Sequence, residues 1–235
     1  MFGVIVNVFT VLLGSAIGLL FKKGIPQKVS NAAMVGLGAC TLYIGISGSL
    51  CGENPLILIA SVVLGAIVGT LLNIDGAINK LAEAVEKKFK KKENSIAEGL
   101  VSATLLFCVG SMTITGSIQA GLTGDNSILI TKAMLDLVSS MMLASSLGIG
   151  VLFAAVSVFV IQGGLVLFAD LIAPVLSAGA INEMTCAGSI LIIMIGINLM
   201  GITKFKVADF LPAIFFAPII YNIIPLIEKA LNLFA

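Results

Sequence analysis

Apolar runs long enough to cross a bilayer recur along the whole chain, separated by short polar connections. They fall at about 3–21, 29–50, 56–74, 100–119, 128–147, 150–172, 185–203 and 208–227. A hydrocarbon core roughly 30 Å thick takes about 20 residues of helix, and a crossing segment must satisfy its own backbone hydrogen bonds. The pattern therefore predicts an all-α integral membrane protein, a bundle of about eight transmembrane helices. Residues 1–235 form a single transmembrane domain. The cut at Gly148-Ile149-Gly150 has almost no polar loop, so the runs on either side join tightly or break into half-helices.

Polar positions refine this picture. Lys22, Lys23 and Lys28, then Lys80, Lys87, Lys88, Lys90, Lys91 and Lys92, then Lys204 and Lys206 occupy alternate connections. The connections between them carry Glu53, Asp125, Asp170 and Glu183. By the positive-inside rule the lysine-bearing connections face the cytoplasm, so a multi-pass protein of a cell membrane with both termini outside is expected. The first run starts at Met1 without a basic leader or a cleavage site, which reads as a retained helix. Only 75–98 is polar over any length. There Ile78, Leu81, Ala82, Val85 and Phe89 share one helical face, an amphipathic cytoplasmic connector.

Composition adds exclusions. The chain is 59% hydrophobic and 11% charged, with a mean hydropathy of +1.17, where soluble domains carry roughly 25% charge. His, Arg and Trp are absent, which removes imidazole proton shuttles, guanidinium phosphate clamps and His-ligated metals. A net charge of +1 offers no attraction to nucleic acid. Cys40, Cys51, Cys108 and Cys186 lack C-x-x-C spacing and read as small apolar residues, so no metal and no cofactor is expected. A rhomboid-type protease lacks its His, and Gly121-Leu122-Thr123-Gly124-Asp125 is not the G-x-G-D of an intramembrane aspartyl protease. An enzyme is not expected.

Segments repeat within the chain. Leu13-Gly14-Ser15-Ala16-Ile17-Gly18 reads like Leu64-Gly65-Ala66-Ile67-Val68-Gly69, both with G-x-x-x-G, and Ile46-Ser47-Gly48-Ser49-Leu50 reads like Ile114-Thr115-Gly116-Ser117-Ile118. Ile44-Gly45-Ile46 and Ile195-Gly196-Ile197 form a shorter, inverted echo. Pseudo-symmetric repeats are common in transporters, and G-x-x-x-G faces can join helices or copies, so a homo-oligomer is compatible with the pattern.

An ionisable side chain inside a span costs about 2.5–3.5 kcal/mol and needs a reason. Lys132 and Asp136 stand at i and i+4 in the fifth run, on one helical face. Asp136 reads either as a cation or proton site with Lys132 as a tethered competitor, or as half of a structural ion pair. Ser117 and Gln119 of the fourth run, Ser139 and Ser140 of the fifth, and Asn126 before it complete a candidate path for a small ion or polar solute. Asn7, Gln162 and Asn198 are secondary candidates, each alone in an apolar run. Hydroxyls at Ser111, Thr113, Thr115 and Ser117 spread around a helix, and unwinding near Gly116 would gather them on a cavity. Gly163-Gly164 predicts a break in the sixth run, and Pro212, Pro218 and Pro225 predict bends in the eighth.

Around Leu106-Phe107-Cys108, Gly116-Ser117, 121–132 and Leu135-Asp136, the chain resembles the bacterial YqgA/YdfK family, domain of unknown function 554. Leu13-Gly14, Gly18, Ser145, Leu147-Gly148-Ile149 and Leu211-Pro212-Ala213 extend the resemblance over the whole length. It implies a multi-span bacterial inner-membrane protein, often taken for a transporter, and carries no assigned functional residue. Two functions stay open from the residues: a transporter or channel with Asp136 on its path, and a non-transporting scaffold or partner subunit whose partner is the lipid bilayer and other helices.

Overall fold

A computed structural model describes residues 1–22, 27–80, 96–174 and 176–234. Among them there is no strand. The helices are α1 Phe2–Lys22, α2 Gln27–Ser49, α3 Pro55–Leu72, α4 Ile96–Cys108, α5 Ser111–Leu122, α6 Ser127–Leu147, α7 Gly150–Leu167, the single turn α8 Ala169–Ile172, α9 Ala178–Leu199 and α10 Ala213–Phe234, with a 3-10 turn at Val207–Phe210 before the last. Most of the amphipathic connector expected at 75–98 lies outside the described residues; 74–80 and 96–98 are helical.

Six helices are long and apolar enough to cross a membrane, and the α4–α5 pair makes a seventh if its two bent halves are one span. The apolar part of α2, Met34–Ser49, is shorter. The protein is thus a helical bundle with six or seven membrane-capable helices among the described residues, where the hydropathy pattern predicts about eight. The seventh run starts earlier than its hydropathy suggests. Ser177 accepts a hydrogen bond from the Ala180 N–H and caps α9, which places Glu183 inside the helix.

Local chemistry sets the other ends. Asn54 accepts from the Leu56 N–H and Pro55 occupies the first turn of α3, where its missing N–H costs nothing. Gly148 ends α6 at φ 81°, a left-handed turn that lets α7 start at Gly150 with no loop between. Pro218 and Pro225 lie inside α10, and Gly163-Gly164 lie within α7 without ending it.

Helix pairing divides the bundle into two groups. In the first, α1 runs parallel to α6, with Gly3 against Leu129, Gly14 against Leu137 and Ser140, and Gly18 against Met141 and Ser145, while α7, α4 and α5 pack beside them. In the second, α2 lies antiparallel on α9 and α3 antiparallel on α10, where Gly65 meets Ala213 and Gly69 meets Asp209. A side chain at any of these glycines would overlap a neighbouring backbone or side chain. Both G-x-x-x-G faces are therefore filled within one chain, the first in a parallel pair and the second in an antiparallel one. In lipid, where apolar surface gains little by leaving the solvent, such close backbone approach is what holds helices together.

The groups meet along α9. Leu191, Ile192, Ile195 and Leu199 of α9 pack with Ala103, Leu105 and Phe107 of α4, Leu143 and Leu147 of α6, and Val151 and Ala154 of α7. Phe2, Phe9, Leu20, Tyr43, Leu56 and Leu71 are exposed around the perimeter, as a lipid-facing surface requires. One end of the bundle collects Lys22, Lys28, Lys80, Lys204 and Lys206; the far end collects Glu53, Asp125 and Asp170.

Candidate functional site

Asp136 stands about 14 Å along α6 from its start at Ser127. Its position relative to Lys132 is the helix's own i,i+4 spacing, and the two side chains form an ion pair. Both are enclosed, with relative exposures of 6% and 5%. Transfer of either charge into apolar surroundings is costly, and mutual pairing offsets the cost only with further hydrogen bonds.

Such a bond comes from another helix, which a third one braces. Asn7 of α1 donates from Nδ2 to Asp136 Oδ2 at 3.0 Å and to Gln162 Oε1 of α7 at 3.2 Å. Thr10 donates to the Asn7 carbonyl at 2.8 Å, which braces that turn of α1. The Lys132 ammonium lies 5.9 Å from the centre of the Phe107 ring, a cation–π distance. Asn7 and Gln162 are fully buried, and Gln162 Nε2 has no hydrogen-bond partner among the described residues. Two residues that rank second in the sequence thus belong to the centre of the cluster.

A broken helix runs past it. Between Cys108 and Ser111 the α4–α5 pair bends by 58°. The unwinding falls at Val109-Gly110, two turns before Gly116, where the hydroxyl pattern predicts it; α5 runs unbroken through Gly116, which packs against Ile128. Gly110 has an extended backbone that starts α5, and Thr113 spans the break by donating to the Phe107 carbonyl at 2.8 Å.

The remaining candidates scatter. Ser140, one turn beyond Asp136, is buried against Gly14 and donates to the Leu137 carbonyl at 3.0 Å. Ser139 is half-buried on the same helix. Ser117 is fully buried on α5, its hydroxyl unpartnered among the described residues. Gln119 and Asn126 instead hold the far-end loop: Gln119 donates to Asp125 at 2.7 Å, while Asn126 donates to the Gly124 carbonyl at 2.8 Å and accepts the Gly3 N–H at 2.9 Å. Asn198 lies at the lysine-bearing end and ties the loop after α9, accepting from the Phe205 N–H at 2.8 Å and donating to the Phe205 carbonyl at 2.9 Å. These three residues are loop braces distant from Asp136.

Two buried acids escape the sequence reading. Glu183, placed in a connection by its charge, is 1% exposed, and its Oε1 accepts the Glu53 and Asn54 N–H groups at 2.8 and 2.9 Å. Asp209 accepts the Asp75 N–H at 2.9 Å. The signal for Asp209 is an acid inside the eighth apolar run; for Glu183 it is the cap at Ser177. The far-end loop has its own acid, Asp125. There the hydroxyl and backbone N–H of Ser127, with help from Gln119, hold the carboxyl below the ordinary carboxylate range. All four cysteines are free thiols.

The fold and this cluster define a class: a helical membrane protein that keeps a lysine–aspartate pair in its apolar interior. Residues 2–222 match the family model described as "Protein of unknown function (DUF554)", and the chain belongs to that family. It is 37% identical over 228 residues to the "Uncharacterized membrane protein YdfK" of Bacillus subtilis (strain 168), covering 95% of this chain and 97% of that protein. It is 30% identical over 221 residues to the "Uncharacterized protein YqgA" of Escherichia coli (strain K12), covering 92% and 94%. No solved structure matches.

Proposed function

We propose that this chain is a transporter for a small ion or small polar solute in a bacterial cell membrane, with eight crossings, the lysine-bearing end in the cytoplasm and both termini outside. It is not an enzyme in this reading. The carrying observation is the enclosed Lys132–Asp136 pair, bonded by Asn7, which Gln162 of a third helix holds in turn, and set beside a broken helix.

The chemistry follows from charge balance. Asp136 and Lys132 are jointly neutral, so the resting site adds no net charge to the membrane interior. A cation or proton that takes Asp136 displaces Lys132, whose ammonium turns toward the Phe107 ring; when the cation leaves, Lys132 returns. Asn7 holds Asp136 in place through either state by its amide. Buried ionisable groups in membrane helices mark such paths.

The test is charge movement on a solid-supported membrane under Na⁺, K⁺ and pH jumps, with wild type and Asp136→Asn reconstituted side by side. Transient currents in the wild type that disappear in the variant are expected. Currents unchanged by the substitution, or a folded wild type that moves no charge, contradict the reading. The low exposure of both residues favours a second one, a permanent structural pair in a membrane scaffold; in that case Asp136→Asn lowers thermal stability and leaves every flux as it was.

A further inference from the structure

Two cavities open at opposite ends of one seam, the contact of the broken helix α4–α5 with α9. The far-end cavity, of about 440 Å³, is lined by Thr115, Ile118 and Gln119 of α5 and by Ile181 and Asn182 of α9. The lysine-end cavity, of about 510 Å³, takes in Glu98 and Ser102 of α4, Ile195 and Asn198 of α9, and Lys204 beyond it. Both lie in the 300–1,000 Å³ range of small-molecule sites.

Between them the seam is closed along about 20 Å of α9, from Ile181 to Ile195. Val109, in the break, sits in a notch left by Gly188, and a side chain at Gly188 would overlap the valine's Cγ1. Ile181 and Ile195, which reach the two cavities, each lie two turns of α9 from Gly188, about 10 Å of helix rise. Ser102 stands at the matching distance from Val109 along α4. The plug is therefore at the midpoint of the closed stretch. Thr185, one turn from Gly188 toward the far-end cavity, carries a buried hydroxyl with no partner among the described residues, a polar group placed as a solute emerging past the plug would need it.

The backbone at the plug is the kind that can move. Val109 lies where α4 has ended and α5 has not begun, so its displacement gives up its apolar packing and a single backbone bond, from its own N–H to the Leu105 carbonyl. Asp136 is coupled to the same break, because Lys132 lies over Phe107, two residues before Val109. We infer that the solute route follows the α4–α5/α9 seam, that Val109 on Gly188 is its gate, and that the solute is a small molecule without net charge, uncharged or zwitterionic. The last point follows from the lining: no charged residue among those described borders the far-end cavity, and the one charged residue on the closed stretch of α9, Glu183, is engaged by the backbone N–H groups of Glu53 and Asn54. This inference rests on the transport reading and assigns Asp136 to the coupling ion.

Swelling of reconstituted vesicles in glycerol and in glycine, followed by light scattering, tests it. Val109→Ala removes the plug and is expected to raise permeation of both probes at least tenfold, while Val109→Ile and Val158→Ala, a core residue of α7 that borders neither cavity, hold the wild-type rate. In a chain with its four cysteines replaced by alanine, Val109→Cys is expected to react with a membrane-impermeant methanethiosulfonate, and Val158→Cys is not. A leak unchanged in Val109→Ala, or a thiol at 109 as inert as one at 158, overturns the gate. The leak does not depend on Asp136, so a Val109→Ala leak beside ion currents that Asp136→Asn leaves unchanged rejects the coupling site and keeps the route.

Discussion

The bundle buries carboxylates in two ways. In the α1, α6 and α7 group, Asp136 is held entirely by side chains, an ammonium and an amide from different positions. In the α2, α3, α9 and α10 group, Glu183 and Asp209 are held by backbone N–H groups flanking α3, one at its start and one just past its end. Burial in either place calls for compensating hydrogen bonds. The difference is that a backbone donor can leave only if the helix end unravels, whereas a lysine or an amide can turn away by rotating a few bonds. Glu183 and Asp209 therefore act as fixed clamps on α3, and Asp136 is the carboxylate whose partner is free to exchange.

This contrast predicts a graded set of effects. Lys132→Met strands a buried carboxylate and is expected to cost about 3–5 kcal/mol, the usual penalty for breaking a buried pair from one side. Thermal unfolding in detergent measures it, and adding Asp136→Leu is expected to restore most of the loss, since a well-packed apolar pair replaces a buried ion pair at little cost. Glu183→Ala leaves two N–H groups at the start of α3 without their acceptor, for about 2–3 kcal/mol, with ion currents per folded molecule unchanged. Equal loss of current in Glu183→Ala and Asp136→Asn erases the distinction between clamp and site. Asp209→Ala, which frees a single N–H, is expected to cost about 1–2 kcal/mol by the same unfolding measurement.

The smallest effect concerns Asp125. Its carboxyl is held low in the folded loop, so the stabilisation is complete above the ordinary carboxylate range and is lost as pH falls through the lowered value. Amide exchange at Ser127 that quickens only at that acid limit, and not near neutrality, is the expected record. The Asp136 cluster shares no group with this loop and does not follow it.

How much of the molecule is legible in the sequence depends on the kind of information involved. Hydropathy locates apolar runs along the chain, so the helices and the i,i+4 pair of Lys132 and Asp136 follow from the order of residues alone. Rotation about the helix axis is not legible in the same way. Asn7, Gln162 and Asn198 look equivalent in sequence, each a lone amide in an apolar run, yet Asn7 bonds Asp136, Gln162 bonds Asn7 and Asn198 ties a loop. Gln119 and Asn126 share the neighbourhood of Lys132 in sequence, yet their side chains are taken up by the far-end loop. Glu183 reads as a loop residue because charge usually marks an end, a rule that fails where backbone donors from another segment are waiting. The helix break falls at Val109-Gly110 because glycine permits unwinding at many places and packing selects one; at Gly116 the neighbouring α6 keeps the helix closed.

Labelling with a hydrophobic carbodiimide, read by peptide mass spectrometry across pH, separates an exchangeable Asp136 from the two clamping acids. It reacts with a protonated carboxyl reached from the membrane. Modification of Asp136 is expected to slow as pH rises or as the coupling cation is added, with Glu183 and Asp209 untouched under the same conditions. Equal labelling of all three carboxyls, or an Asp136 inert at every pH, would contradict that separation.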